Sequence, residues 1–149
     1  MRAVVQRVSS ARVEVGPETV GEIGPGLLVL VGVGSDDTES DAHELARKLI
    51  HLRVFEDDEG RMNLSLLDTG GSLALVSQFT LFGDTRKGRR PSFGSAAKPA
   101  QAAPLIEVLG QQIQRAGIQV ATGRFGTQMT VHLANTGPLT LLLDTKKLF

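Results

Sequence analysis

The order of apolar and polar positions predicts a chain that begins with β-strands. Residues 2–8 and Ser9–Val15 form a β-rich run, in which apolar residues alternate with polar ones. Thr19–Ile23 follows as a short return strand after a Gly-Pro turn. Leu27–Val33 is an unbroken aliphatic run, which is typical of a strand that is covered on both faces.

Two segments carry apolar residues at helical spacing. The first spans residues 36–51, where Ser35 resembles an N-cap and acidic residues occupy the first turn, as the helix dipole favours. The second spans residues 100–116 and is followed by Gly117, a residue type that often ends helices. Between the two helices, residues 61–72 are predicted to be loop or short turns.

The remaining strand candidates complete a mixed sheet. Residues 73–81 are predicted to form its central strand, and Ile118–Arg124, Met129–Ala134 and Leu139–Asp144 close the chain. About eight strands and two helices, without strict βα alternation, predict an α/β fold with a mixed, largely antiparallel sheet and helices packed on it. At this length, residues 1–149 are predicted to form a single domain.

The composition excludes several kinds of chemistry and leaves the predicted fold unchanged. Lys+Arg and Asp+Glu both number 16, so net charge does not indicate a polyanionic partner. The chain has no cysteine, which excludes disulfides and thiol chemistry, and its three histidines lack metal-binding spacing. Without a signal-peptide pattern or an apolar run of membrane-spanning length, we expect a cytoplasmic protein with no membrane partner, metal or cofactor.

The stretch Leu73–Phe93 combines residues that packing alone does not explain. Its strand places Ser77, Gln78 and Thr80 around Phe79, although buried polar groups cost free energy unless they are hydrogen-bonded. One interpretation is a half-buried strand whose hydroxyls satisfy neighbouring backbone groups. The other is the floor of a pocket that offers hydroxyl and backbone N–H groups to a substrate carbonyl.

Two further segments have both a simple and a functional interpretation. The loop after the polar strand carries Arg86, Lys87, Arg89 and Arg90, which indicates either a solvated loop or a contact with phosphates. The segment Asn135–Thr140 contains Asn, Gly and Pro between two strand candidates, so a plain hairpin is its simplest interpretation.

Taken together, six stretches resemble the D-aminoacyl-tRNA deacylase family in its common bacterial and eukaryotic form. They follow the family pattern in order and spacing nearly from end to end: MRAVVQRVS, GEIGPGLLVLVGV, NLSLLDTGG, LVSQFTLFGDTRKGRRPSF, TGRFG and NTGPLTLLLD. The two signature stretches of the family are both present. They are Ser77-Gln78-Phe79-Thr80 and Asn135-x-Gly137-Pro138-x-Thr140.

The resemblance implies a homodimer that cleaves the ester between a D-amino acid, or glycine, and the 3′-terminal ribose of tRNA. By this resemblance Gly137 and Pro138, joined by a cis bond, form a chiral gate that enters the partner's pocket and rejects L-amino acids. Arg7 matches a position that braces this motif, and Met129 matches a position near the pocket. The four basic residues of the cationic loop, with Lys146 and Lys147, would then contact RNA phosphates.

The resemblance also implies a mechanism without a side-chain base. Water would attack the ester with help from the 2′-hydroxyl of the RNA, and backbone N–H groups near Phe79 and Thr80 would stabilise the oxyanion. Thr80 lacks an evident base, so it and Ser77 would position the substrate, and Gln78 would form the pocket wall. Two alternatives stay open, a Thr80-dependent esterase or peptidase for small substrates and a non-catalytic RNA-binding module.

The chain departs from the family pattern beside both signature stretches. Thr127, Gln128 and Thr130 stand where Ala, Asp and Gln are more common, and Thr136 and Leu139 stand where Asp and Val are more common. We expect these differences to affect adenosine contacts and substrate preference more than the class of activity.

Overall fold

The computed structural model describes residues 1–149 as eight strands, three α-helices and one 3-10 helix. The strands are β1 (Arg2–Val15), β2 (Glu18–Ile23), β3 (Gly26–Gly32), β4 (Phe55–Glu56), β5 (Met62–Leu64), β6 (Ser72–Ser77), β7 (Val120–Thr122) and β8 (Thr130–Asp144). The helices are α1 (Glu39–His51), α2 (Leu66–Thr69) and α3 (Pro99–Arg115), and the 3-10 helix spans Phe79–Phe82. None of these helices combines the length and the apolar character that crossing a bilayer requires.

Six strands form one sheet in the order β2-β1-β3-β6-β7, with β8 paired to β1. β1 is antiparallel to β2, β3 and β8, whereas β3, β6 and β7 run parallel to one another. β3 and β8 pair with the same residues of β1, so they lie on opposite sides of that strand. β8 has no other partner and therefore forms an edge of the sheet. The predicted mixed, largely antiparallel sheet is confirmed.

Two hydrophobic cores lie on opposite faces of this sheet. The alternation of side chains along a strand sends Leu27 and Val29 of β3 into a core of 21 buried residues, which the helices α1 and α3 complete. Leu28, between them, belongs to a second core of 7 residues, which only strands supply. The prediction that Leu27–Val33 is covered on both faces is therefore confirmed.

The predicted start of α1 is wrong, because a tight turn precedes the helix. The buried Asp37 turns back and accepts a hydrogen bond from the backbone N–H of Gly34 at 2.6 Å, so Ser35 is not the N-cap. Thr38 takes that position, and its N–H donates to the carboxylate of Asp41 at 2.8 Å.

Two predictions for the middle of the chain also need correction. Residues 61–72 contain β5 and α2, and α2 begins at a capping box that Ser65 and Asp68 form. The predicted strand over residues 73–81 ends at Ser77, because the chain turns into the 3-10 helix there.

The predicted hairpin at Asn135–Thr140 is also absent. Val8 pairs with Asn135 and Gln6 pairs with Thr140, so both halves of β8 pair with β1. The four residues between Asn135 and Thr140 oppose a single residue of β1 and form a bulge in one continuous strand.

Candidate functional site

A cavity of about 650 Å³ lies at the ends of two parallel strands. Val31 of β3 and Val76 of β6 supply its floor, and Ile106 of α3 and Met129, just before β8, supply two of its walls. Ligand sites in open α/β sheets commonly lie beyond the carboxyl ends of parallel strands. Twelve of the 18 residues that line it are hydrophobic, so the few polar groups at its rim determine what it can bind.

The polar groups of the first signature stretch meet at one edge of this cavity. Ser77, Gln78 and Phe79 line it, whereas the exposed Thr80 lies beside it in the 3-10 helix. The side-chain amide of Gln78 donates a hydrogen bond to the hydroxyl of Thr80, and the backbone N–H of Gln78 donates to Val31 O at 2.7 Å. Ser77 ends its strand rather than lying inside it, so these groups reach the cavity without being buried in the sheet.

The start of the 3-10 helix provides two further polar groups at this edge. The N–H groups of Phe79 and Thr80 belong to the first turn, where backbone donors have no acceptor within the helix. Both residues are exposed, and Phe79 borders the cavity directly. These N–H groups are suitable donors for an oxygen that develops negative charge next to the cavity.

Sequence reasoning predicted Phe79 at the rim but missed Phe93, Phe125 and Lys98. The rings of Phe79 and Phe93 pack edge to face, with centroids 5.0 Å apart, and Phe125 lines the same cavity with 41% of its surface exposed. Lys98, just before α3, is the only charged residue in the lining. The signal that could have found them is a phenylalanine in each of two otherwise small and polar loops, Ser92–Pro99 and Gly123–Thr127.

The second signature stretch forms a separate protrusion, outside this cavity. Its peptide bond between Gly137 and Pro138 is cis, and Thr136, Gly137 and Pro138 are exposed. Asn135 Nδ2 donates to the carbonyl oxygens of Arg7 at 3.0 Å and of Leu139 at 2.9 Å, and so joins β1 to the far end of the bulge.

Two side chains of β1 support the same protrusion. Arg7 Nε donates to Thr136 O at 3.2 Å, and Arg7 Nη1 donates to Val54 O at 2.6 Å. Gln6 Nε2 donates to the hydroxyl of Thr140 at 3.3 Å. Neither these groups nor Asn135 contact the cavity of their own chain, so the two signature stretches lie at separate places on the surface.

The cationic loop after the 3-10 helix is divided by one ion pair. The guanidinium of Arg86 donates two hydrogen bonds to the carboxylate of Asp84, at 2.9 and 2.7 Å, and lowers the pKa of that carboxyl to about 2. Lys87, Arg89 and Arg90 are exposed and form no ion pair. Three cations of the loop are therefore free of ion pairs, and the fourth, Arg86, is shared with Asp84.

The fold and the cavity define the class of the protein. It is a mixed α/β protein whose largely apolar pocket lies beyond parallel strands, with backbone donors and aromatic rings at its rim. No group of three or more His, Asp or Glu side chains comes together as it would to hold a metal ion.

Comparison with known proteins then identifies the family. The family model described as "D-Tyr-tRNA(Tyr) deacylase" matches residues 4–144. A D-aminoacyl-tRNA deacylase of Bacillus licheniformis is 60% identical over 146 residues, which cover 98% of this chain and 99% of that relative. Another from Roseiflexus sp. is 59% identical over 145 residues, with 97% and 94% covered. The chain belongs to the D-Tyr-tRNA(Tyr) deacylase family.

Solved structures agree with this fold. A protein described as "c-Myc DNA Unwinding Element Binding Protein" superposes with a TM-score of 0.90 at 38% identity, over 97% of this chain and 98% of that one. A probable eukaryotic D-amino acid tRNA deacylase has a TM-score of 0.83 over 96% and 98% of the two chains. Because its identity is only 20%, this second likeness supports the fold alone.

Proposed function

We propose that this protein, acting in the cytoplasm as a single-domain hydrolase, cleaves the ester between a D-amino acid or glycine and the 3′-terminal ribose of tRNA. The products are the free amino acid and deacylated tRNA. The observation that carries the proposal is the edge of the cavity at Ser77–Thr80, where the first turn of a 3-10 helix, with its unpaired backbone N–H groups, borders an apolar pocket. Membership of the family supports the choice of an aminoacyl-tRNA as the ester.

The chemistry assigns the residues of this edge to binding and charge stabilisation. The N–H groups of Phe79 and Thr80 would hold the carbonyl oxygen as it becomes an oxyanion, and each such donor is worth about 3–4 kcal/mol in other enzymes. Ser77 and Thr80 would position the ester, and Gln78 would form the wall beside it. The cavity lining contains no imidazole or carboxylate that could serve as a general base.

The missing base is therefore assigned to the substrate. The 2′-hydroxyl next to the ester would assist the attacking water, which adds to the carbonyl carbon. Collapse of the tetrahedral intermediate would break the bond to the 3′ oxygen, which leaves as the ribose 3′-hydroxyl after taking a proton. Gln78 is the one side chain that hydrogen-bonds to the hydroxyl of Thr80, and an amide is not a general base, which disfavours Thr80 as a nucleophile.

We infer that selection against L-amino acids belongs to the protrusion around Gly137 and Pro138, acting in a homodimer. The protrusion is exposed, is held by Arg7 and Asn135, and lies outside the cavity of its own chain. In a dimer its backbone carbonyl groups would enter the partner's cavity and contact the α-ammonium of the substrate. The side chain of an L-amino acid would then collide with backbone, whereas glycine has no side chain to reject.

The decisive experiment compares hydrolysis of D-tyrosyl-tRNA, L-tyrosyl-tRNA and glycyl-tRNA by the same enzyme preparation, each against its spontaneous rate. We expect fast loss of the D-tyrosyl and glycyl esters and no enzyme-dependent loss of the L-tyrosyl ester. Equal loss of D and L esters would leave an esterase without the gate. Binding of tRNA without cleavage would indicate an RNA-binding module.

The assignment of the base is tested with a D-tyrosyl-tRNA that lacks the terminal 2′-hydroxyl. We expect hydrolysis of this substrate to slow by at least tenfold, while the variant Thr80→Ala keeps measurable activity on the normal substrate. A Thr80-dependent esterase predicts the opposite pair of results. The two substrates share the same tRNA body, so differences in binding to the body cancel.

A further inference from the structure

A second concave surface, of about 710 Å³, lies between the C-terminal half of α1 and the end of β8. We refer to it as the α1–β8 groove. Four lysine and arginine side chains line it, against two acids, Glu44 and Asp144, although the whole chain has a net charge of zero. The cations are Arg47, Lys48, Arg53 and Lys147.

Most of this positive charge is not neutralised within the chain. Asp144 is already engaged by Arg2, at 3.4 Å, and Arg53 donates to the backbone and side chain of Asn63. Arg47, Lys48 and Lys147 are exposed and form no ion pair. The helix dipole favours a cation in the last turn of α1, where Lys48 lies, but it does not account for Arg47 and Lys147, which lie outside that turn.

An exposed aromatic ring completes the groove. Phe149 lines it with 61% of its surface exposed, although burial is the usual state of a phenylalanine. A ring among unpaired cations suits a single-stranded nucleic acid, because the cations contact the backbone and the ring stacks on a base. A small anion would need the cations but not the ring.

The groove is joined to the catalytic edge of the cavity through one side chain. The guanidinium of Arg2 lies 5.7 Å from the ring centre of Phe149 and 4.5 Å from that of Phe82. Arg2 Nη1 also donates to Leu81 O at 3.2 Å, inside the 3-10 helix that borders the cavity. Arg2 therefore contacts both the 3-10 helix at the edge of the cavity and the aromatic ring of the groove.

We propose that the α1–β8 groove is a second RNA-binding surface, which holds backbone phosphates of tRNA while the aminoacylated 3′ end occupies the cavity. Arg47, Lys48 and Lys147 contact the phosphates, and Phe149 stacks on a base or packs on a ribose. The proposal rests on the proposed function, since it assigns a place to the body of the same substrate.

The test uses two substrates that share the reactive end. One is full-length D-tyrosyl-tRNA, and the other is 3′-O-D-tyrosyl-adenosine, which carries no phosphate. For the double variant Arg47→Gln/Lys48→Gln we expect kcat/KM on the tRNA to fall about tenfold, with kcat/KM on the nucleoside ester unchanged. The dependence of log kcat/KM on log salt should also become shallower by about two, one for each lost phosphate contact.

The control is the double variant Arg61→Gln/Arg115→Gln, which removes the same charge from exposed positions outside the groove. An equal loss in the control, an equal loss on both substrates, or no loss on tRNA would overturn the groove proposal. Failure of the proposed function is distinguishable, because the unaltered enzyme would then cleave neither substrate. Thermal unfolding of each variant verifies that the fold is intact.

Discussion

Asp41 joins two separate parts of the chain through one carboxylate, the start of α1 and the residues that follow β8. It accepts hydrogen bonds from the N–H of Thr38 at 2.8 Å, from the hydroxyl of Thr145 at 2.7 Å and from Lys146 Nζ at 3.2 Å. Burial by itself raises the pKa of Asp41, but these hydrogen bonds outweigh it and hold that pKa well below its usual range. The charged form of Asp41 therefore stabilises the junction of α1 with the end of β8.

We expect Asp41→Asn to lower the free energy of unfolding by about 1–3 kcal/mol at pH 7. Because the folded state depresses the pKa, the contribution of Asp41 is complete above the unfolded value of about 4 and is lost as pH falls below it. Urea unfolding at pH 7 and at pH 3 should therefore show a large difference between the two proteins at pH 7 and a smaller one at pH 3. Asp58→Asn, in an exposed turn, is the matched control.

Arg7 supports the protrusion by donating hydrogen bonds to two backbone carbonyl groups. Arg7→Lys keeps the charge but removes the planar fork that contacts Thr136 and Val54 together. We expect the ratio of D-tyrosyl to L-tyrosyl hydrolysis to fall about tenfold, the equivalent of one hydrogen bond. Steady-state kinetics on both esters measures this ratio. A ratio that stays the same would remove Arg7 from the support of the protrusion.

Individual residues of the site could be predicted from sequence only where their type is unusual for their position. Ser77 and Gln78 are polar residues after an apolar run, and they do line the cavity. Phe93 and Phe125 reach the same cavity from distant loops, and no local pattern places two such loops together. The ion pair between Arg86 and Asp84 could not be predicted from the number of charges, because it depends on how the loop folds.

Among the elements, the parallel pair β3–β6 depends most on a single residue. Gly26 stands opposite Ser72, and a Cβ at Gly26 would lie only 1.8 Å from Ser72 O. Because the obstructing atoms are backbone, the two strands must separate to admit a side chain.

We expect Gly26→Ala to lower the free energy of unfolding by about 3 kcal/mol or more, at the upper end of the cost of overpacking. Gly24→Ala is the matched control, because a Cβ there meets nothing within 4 Å. Chemical denaturation of the two variants provides the comparison. Equal stability of both variants would mean that β3 and β6 tolerate the displacement.

Element boundaries were predicted well where hydrophobic periodicity determines them and poorly where a turn does. The aliphatic run at Leu27–Val33 and the helix before Gly117 are placed correctly. The observed α1 begins later than predicted, because the carboxylate of Asp37 accepts a hydrogen bond from the N–H of Gly34. This contact forms because Asp37 is buried, which the local sequence does not reveal. The capping box of Ser65 and Asp68 was visible in the sequence and would have revealed α2.

For the whole molecule, the free cations of the loop after the 3-10 helix set the expected dependence on salt. We expect Arg89→Ala/Arg90→Ala to weaken binding to tRNA, to reduce the salt slope by about two and to leave the D-to-L ratio unchanged. Binding titrations at several salt concentrations measure the first two quantities. Unchanged activity on tRNA would show that this loop does not contact RNA, and Arg61→Ala/Arg115→Ala controls for total charge.

The presence of two hydrophobic cores has a consequence for how a bound ligand affects the whole molecule. The larger core joins sheet and helices, whereas the smaller one is built by strands alone, and β1, β3 and β6 contribute residues to both cores. Val31 belongs to the larger core and Val76 to the smaller, and both line the cavity. We therefore expect a ligand that fills the cavity to contact both cores at once and to slow amide exchange in the strands that they share.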